Sequence, residues 1–307
     1  MTILVCGEAL YDFFQVAEAT EAALSFDARV GGSPFNVAVG IARQKHPVAL
    51  LTGMSNDMLG QRLFGRLVAE NVGTEYLVRS GRRTTLSLVG LDATGQPDYA
   101  FYGVGSADVA VTPGDMPDLP DAVTALHFGS YSIAVAPAAD AYASLADRYS
   151  DRFISLDPNV RPTIEPDMAV WRRQIDFLRP HCNLIKVSAE DLGMLYPGTD
   201  ASVIASGWVR DGTELVIVTA GAEGATAFTA THNVHVPSQK IDVVDTVGAG
   251  DAFQATLLSS LLSAGAMASA ANWAADLDLE KILSRSVRAG AIACSRKGAD
   301  MPRPEEF

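Results

Sequence analysis

The sequence predicts an α/β protein with a mostly parallel central sheet flanked by helices and a small β-sheet appendage. Three observations carry this. From about residue 122, short apolar strands alternate with helical patterns, which is how a parallel sheet covered on both faces reads. A strand–turn–strand pattern over 84–102 interrupts that alternation. The stretch 12–30, between the first strand and the first helix, is too long for an ordinary strand-to-helix loop and offers further strands to the same appendage.

Taken in order, residues 2–6 form a short apolar run, the pattern of a buried strand. Over 33–44, Val37 with Ile41 and Ala38 with Ala42 recur at helical spacing. Residues 48–52 read as another buried strand. A helix is predicted over 57–71, where Leu59, Leu63 and Leu67 form one stripe and Gly73 stands just past the end. Residues 84–91 and 99–102 read as two strands about the turn Asp92-Ala93-Thr94-Gly95. Further strands are predicted at 125–128, 153–157, 184–187 and 215–219, with helices at 138–149, 168–178 and at 189–196 or 201–210. A strand-like segment, 241–244, precedes two last helices at 249–264 and roughly 279–295. There is no internal repeat, low-complexity tract or linker.

The chain has 307 residues, 48% of them hydrophobic and 19% charged, enough to bury a large core without disulfides. No apolar run reaches the ~18 residues of a membrane span. The longest candidate, 255–271, is interrupted by four serines. The run Ile3 to Cys6 lacks a basic flank and meets Gly7-Glu8 at once, so it reads as a strand and not as a signal peptide. Lys and Arg total 23 against 36 Asp and Glu, a net charge of −13, which disfavours nucleic acid and anionic membrane as partners. An anionic small substrate must then be held by local devices: helix N-termini, a metal ion, or one or two Arg or Lys. The three cysteines, Cys6, Cys182 and Cys294, and the five histidines show no metal-ligand spacing. The odd cysteine count fits a reducing cytoplasm.

In such sheets ligands bind beyond the C-terminal strand ends, and each motif with chemistry stands at one. The strongest is Val244-Asp245-Thr246-Val247-Gly248-Ala249-Gly250-Asp251-Ala252-Phe253. Gly248 and Gly250 let backbone approach a ligand closely, and the helix start that follows leaves amides without partners. Those donors and the macrodipole make an anion site. Asp251, in the first turn, would be repelled by a bound phosphate, so it makes sense as a general base facing a hydroxyl that attacks phosphorus. The same residues also suit a Gly-rich turn with an acid placed at a helix N-terminus, and Asp245 suits an Asx turn. Gly31-Gly32-Ser33-Pro34-Phe35-Asn36 offers neutral hydrogen-bonding groups at a helix entrance, which suit a polyol as well as a plain helix start. Asp12 could accept from two sugar hydroxyls. Arg161, after Asp157-Pro158-Asn159-Val160, could bind a phosphate or an acidic substrate group, or stand in solvent. Ser188, Glu190 and Asp191 could hold magnesium or simply open a helix. Thr219-Ala220-Gly221-Ala222-Glu223-Gly224 could line a nucleotide or form a simple turn or hairpin. There is no G-x-x-x-x-G-K-[ST] and no G-x-G-x-x-G opening a helix after the first strand, so neither a P-loop nor a dinucleotide fold is indicated.

These residues resemble the ribokinase-like, or PfkB-type, carbohydrate kinases. Gly31-Gly32 through Asn36-Val37-Ala38 is similar to the family's N-terminal signature, and Asp245 through Phe253 to its C-terminal signature, D-T-x-G-A-G-D-x-F. The resemblance covers essentially the whole chain. It implies one ribokinase-like domain over 1–307 with a lid formed by about 12–30 and 84–108. It also implies transfer of phosphate from ATP to a sugar or nucleoside hydroxyl with Mg2+, a homodimer through the lid, and a K+ site. By resemblance Asp251 is the catalytic base, and Gly248, Ala249 and Gly250 form the anion hole. Asp12, Gly31, Gly32, Asn36 and Arg161 bind substrate. Lys186, Ser188, Thr219, Gly221 and Gly224 face the nucleotide. Glu190 and Asp191 serve Mg2+, and Asp245 with the Val247 backbone serves the monovalent cation. Gly7-Glu8-Ala9-Leu10 with Asp12, Asp157-Pro158-Asn159 with Arg161, and Lys186-Val187-Ser188 are most similar to fructokinases. Phe101-Tyr102-Gly103 stands where fructokinases usually carry F-Y-R. The rival acceptors are 2-keto-3-deoxygluconate, ribose or a nucleoside, and the rival function is a non-catalytic sugar- or nucleotide-binding regulator.

Overall fold

The first strand, β1 (Thr2–Cys6), sets the plan. Ile3 and Val5 lie in one apolar core, while Leu4 and Cys6 lie in a second core across the sheet. Successive strand side chains point to opposite faces, so a strand apolar at each of these positions needs helices on both sides. The structure is a computed structural model that describes residues 1–16, 22–91, 97–268 and 273–307. The turn expected at 92–95 lies outside the described residues.

After β1 come β2 (Leu10–Gln15), β3 (Phe26–Gly31), α1 (Ser33–Arg43) and β4 (Val48–Leu51). Then follow β5 (Gly53–Ser55), α2 (Met58–Ala69), β6 (Val78–Ser80), β7 (Thr85–Leu91) and β8 (Pro97–Tyr102). Regular alternation begins with β9 (Val123–Gly129), α3 (Ala138–Arg148), β10 (Phe153–Asp157), α4 (Met168–Leu178) and β11 (Leu184–Ser188). It continues through α5 (Ala189–Leu195), α6 (Ala201–Arg210) and β12 (Leu215–Thr219). The chain ends with β13 (Ala225–Phe228), β14 (Asn233–Val236), α7 (Ala249–Ser263) and α8 (Leu279–Cys294).

The central sheet has eight strands in the order β14-β13-β12-β11-β10-β9-β1-β4. The six from β12 to β4 are parallel, and β13 and β14 add an antiparallel edge. A separate four-stranded sheet, β3-β2-β7-β8, is the expected appendage, and the 12–30 region does supply two of its strands. Both helices offered between 189 and 210 exist. The segment 241–244 corrects the sequence reading: it is not a strand. The amides of Val244 and Asp245 both donate to the Cys294 carbonyl at the end of α8, so the segment follows a helix terminus instead of a sheet edge.

Helix α7 is buried on nearly all sides. It packs against α1 so closely that a Cβ on Gly40 would stand 2.5 Å from the Ala255 Cβ. Its buried polar groups reach neighbours on both sides: Gln254 Nε2 donates to Ser155 Oγ at 3.0 Å, and Gln44 Nε2 to Thr256 Oγ1 at 2.8 Å. These contacts fix where the first turn of α7 meets the first turn of α1.

Candidate active site

The C-terminal ends of β1, β10, β11 and β12 and the N-terminal ends of α1 and α7 open on one cavity of about 1150 Å³. The small sheet roofs one part of it with Asp12, Ser87 and Phe101, and Thr219, Gly221 and Glu223 border another part.

Asp251 stands where these ends meet, largely buried. Ser33 Oγ donates to its Oδ1 at 2.6 Å, and Asn36 Nδ2 to its Oδ2 at 2.8 Å. The carboxylate is therefore oriented by both ends of the α1 entrance. Asn36, expected at the substrate, lines the cavity, and its amide group also positions Asp251. Ser33, quoted in the motif without a role, shares that task.

Five helices, α2, α4, α5, α6 and α8, begin with an Asp or Ser side chain bonded to a first-turn amide. Helices α1, α3 and α7 have no side-chain cap, and of these α1 and α7 begin with a glycine, Gly32 and Gly248, and open on the cavity. Gly248 holds φ +81°, and a Cβ there would stand 2.6 Å from the Ala299 Cβ. Within the expected anion hole, the Ala249 amide donates to Thr246 O at 3.3 Å, and Ala249 does not line the cavity. Gly248 and Gly250 do, and among the described residues their amides have no backbone acceptor. A Cβ on Gly250 would lie 3.3 Å from Lys186 Nζ, so that ammonium stands beside the helix entrance. Lys186 is buried and bonds Asp157 Oδ2 at 2.8 Å. Burial pushes its ammonium down, but Asp157, Asp191 and Asp251 together carry it above the usual lysine range. An uncapped helix start with a charged lysine alongside is a site for phosphate.

On the roof, Asp12 faces the cavity from β2. Burial raises its carboxyl to about 6, helped by Asp251 and opposed by Ser87 and Arg161. Gly31 does not line the cavity; a Cβ there would run into the Asp12 carboxylate, so its part is to make room. Gly32, at φ +100°, lies against the Glu8 carbonyl, 2.7 Å from where a Cβ would stand. Arg161 is exposed at the cavity, its Nη1 donating to Val160 O at 3.0 Å.

Ser188 caps α5 by accepting the Asp191 amide at 2.9 Å, and Asp191 Oδ1 accepts the Val160 amide at 3.1 Å. Both line the cavity, with exposed Glu190. Gly224 does not: at φ +97° it packs against the Val236 carbonyl as part of the β12–β13 turn. Asp245 also stands outside the lining, accepting the amides of Val247 at 3.0 Å and Gly298 at 2.8 Å. It staples the Gly-rich turn, while Val247 lines the cavity. Sequence reasoning also missed Glu8, which lines the cavity and is 1% exposed. A charged residue directly after an apolar strand was the available signal.

A model of the pfkB family carbohydrate kinases matches residues 2–306. The chain belongs to the pfkB family of carbohydrate kinases. A fructokinase of Rhizobium leguminosarum bv. trifolii is 40% identical over 260 residues, which cover 84% of this chain and 79% of the relative. The crystal structure of an ATP-bound fructokinase from Xylella fastidiosa superposes with a TM-score of 0.86 at 27% identity, covering 99% of this chain and 96% of that one. A fructokinase double mutant of Vibrio cholerae O395, bound to fructose, ADP and potassium, shares the fold with a TM-score of 0.81 at 24% identity over 97% and 93% of the chains. This kinase is thus ATP-dependent and fructokinase-like.

Proposed function

We propose that this kinase transfers the γ-phosphoryl group of ATP to fructose, with Asp251 as the base. One observation carries the reading: the Asp251 carboxylate, held by Ser33 and Asn36, stands at the meeting point of the roofed cavity and the uncapped start of α7. Sugar lies beneath the lid against Asp12 and Gly32, and nucleotide lies along Thr219 and Gly221. Asp251 accepts the proton of the attacking hydroxyl as its oxygen bonds to phosphorus, and the bond to the β–γ bridging oxygen breaks to release ADP. The Gly248 and Gly250 amides and Lys186 stabilise the charge on the phosphoryl oxygens. Acceleration comes from positioning and electrostatics, because the transition state is loose.

For Mg2+ the residues fit: it binds through one or two carboxylates plus substrate phosphates, and Glu190 and Asp191 lie at the cavity edge. Among the described residues no group of three or more His, Cys, Asp or Glu could hold a metal ion. Bound there, Mg2+ neutralises phosphate charge. For a monovalent cation, each oxygen of Asp245 accepts one backbone amide and keeps a lone pair to offer, and no step depends on that ion.

Exposed Arg161 favours a second reading, a sugar acid whose carboxylate it would meet, and Gly103 in the lid removes the arginine usual in fructokinases. ADP release measured over hexoses, pentoses, sugar acids and nucleosides decides. The proposal expects fructose to exceed every other acceptor by about 10-fold or more in kcat/KM. A preferred sugar acid or nucleoside would overturn the fructose assignment, and no ADP with any acceptor would overturn catalysis itself.

A further inference from the structure

Two buried acids lie near the roof of the cavity, and the mechanism uses neither. Asp108 is fully engaged: Thr85 Oγ1, Ser106 Oγ and Tyr131 Oη all donate to it, at 2.5, 2.7 and 2.5 Å. Thr85 begins β7 and Ser106 follows β8, so Asp108 ties both roots of the small sheet to the body of the protein, and it does not line the cavity. Glu8 differs. It lines the cavity, takes part in no ion pair among the described residues, and has hydroxyl partners. Ser132 Oγ donates to its Oε2, and Ser130 also bonds the carboxyl. Ser130 holds φ +61°, a conformation uncommon in a non-glycine residue and enriched around ligand sites. A carboxylate offers about four acceptor positions. Its own backbone amide is a third partner, so about one acceptor position remains, in a cavity that receives a molecule rich in hydroxyl donors.

We propose that Glu8 is a specificity-determining residue that accepts one hydroxyl of the acceptor sugar, distinct from the hydroxyl that attacks phosphorus, while Ser130 and Ser132 hold its carboxyl in place. Asp12 and Glu8 then grip the sugar from the roof and from the end of β1, leaving the attacking hydroxyl to Asp251. The inference rests on the sugar-kinase reading.

The test scans singly deoxygenated forms of the preferred sugar against wild type, Glu8→Gln, Glu8→Met and Asp108→Asn. Steady-state kinetics are paired with the sugar-induced rise in unfolding temperature. In wild type assayed at pH 8, where the Glu8 carboxyl is ionised, removing the hydroxyl that meets it costs about 100-fold in kcat/KM, as for a hydrogen bond to a charged group. In Glu8→Gln that penalty shrinks to about 10-fold or less, and in Glu8→Met it disappears. KM for the sugar rises in both while KM for ATP holds. Asp108→Asn, a change at a purely structural acid, keeps the wild-type pattern of penalties. If Glu8→Met does not fold, the Gln variant decides alone. Identical deoxy-sugar penalties in wild type and Glu8→Gln would overturn the role of Glu8 and leave the kinase reading intact. A wild type that neither binds nor phosphorylates any sugar would overturn both.

Discussion

Ser33, Asn36 and Asp251 show how little at the residue scale is visible in one dimension. The Gly-rich turn and the acid that follows it could be read directly, because their chemistry is local. That Asn36 would orient Asp251 could not, since the two lie 215 positions apart and meet only through the packing of α1 on α7. The same holds for Gly31 and Gly224, whose small size serves a neighbouring carboxylate and a turn. Glu8 has a consequence in solution. Burial raises its carboxyl from 4.5 to about 7, only partly offset by Ser132 and Ser130. The folded chain therefore keeps a proton that the unfolded chain releases, and stability falls as pH rises from about 4.5 through about 7. The cost above that range is on the order of 3 kcal/mol. Glu8→Gln removes it, so the variant should unfold at a higher temperature than wild type at pH 8 and at nearly the same temperature at pH 5. A gap that does not change with pH would show that the acid is not desolvated. A variant that is more stable yet binds sugar less well is the expected trade at a binding residue.

Elements were legible where their pattern was unmixed. Helices α4 and α7 and strands β10 and β12 show clear periodicity or unbroken apolar runs. Strands β2 and β3 were legible only as excess chain, because Asp12 and Asp27 break their alternation. The segment 241–244 looked like a strand because its composition is β-prone, and tertiary contact with α8 decided otherwise. Capping matters most at α2. Asp57 Oδ1 accepts the Gly60 amide at 2.7 Å, and the same carboxylate accepts the Thr84 amide and hydroxyl at 2.8 and 2.7 Å. One side chain thus closes a helix and anchors the root of the small sheet. Asp57→Ala should cost about 2 kcal/mol, read as a lower denaturant midpoint at an unchanged slope. A loss near zero would mean that water replaces all three bonds.

At the scale of the whole molecule, topology assembles the site. Parallel strands place the ends of β1, β10, β11 and β12 at one edge, and α1 and α7 deliver their uncapped starts to it. A net charge of −13 repels nucleotide from most of the surface, so Lys186 and the Gly248 and Gly250 amides, which have no backbone acceptor among the described residues, act against the global field. The sequence announced this layout through alternation and two signatures near opposite ends of the chain. It announced the roof only as a small sheet drawn from about 12–30 and 84–108, because which side chains face the cavity depends on how three separate stretches pack. The proposed mechanism puts the Asp251 carboxylate where sugar and phosphate meet. Replacing it by its isosteric amide, Asp251→Asn, keeps the shape and removes the base. Single-turnover phosphoryl transfer with saturating fructose and ATP should then slow by about 10²–10⁴-fold, with ATP affinity preserved. A variant that transfers phosphate at close to the wild-type rate would contradict the account.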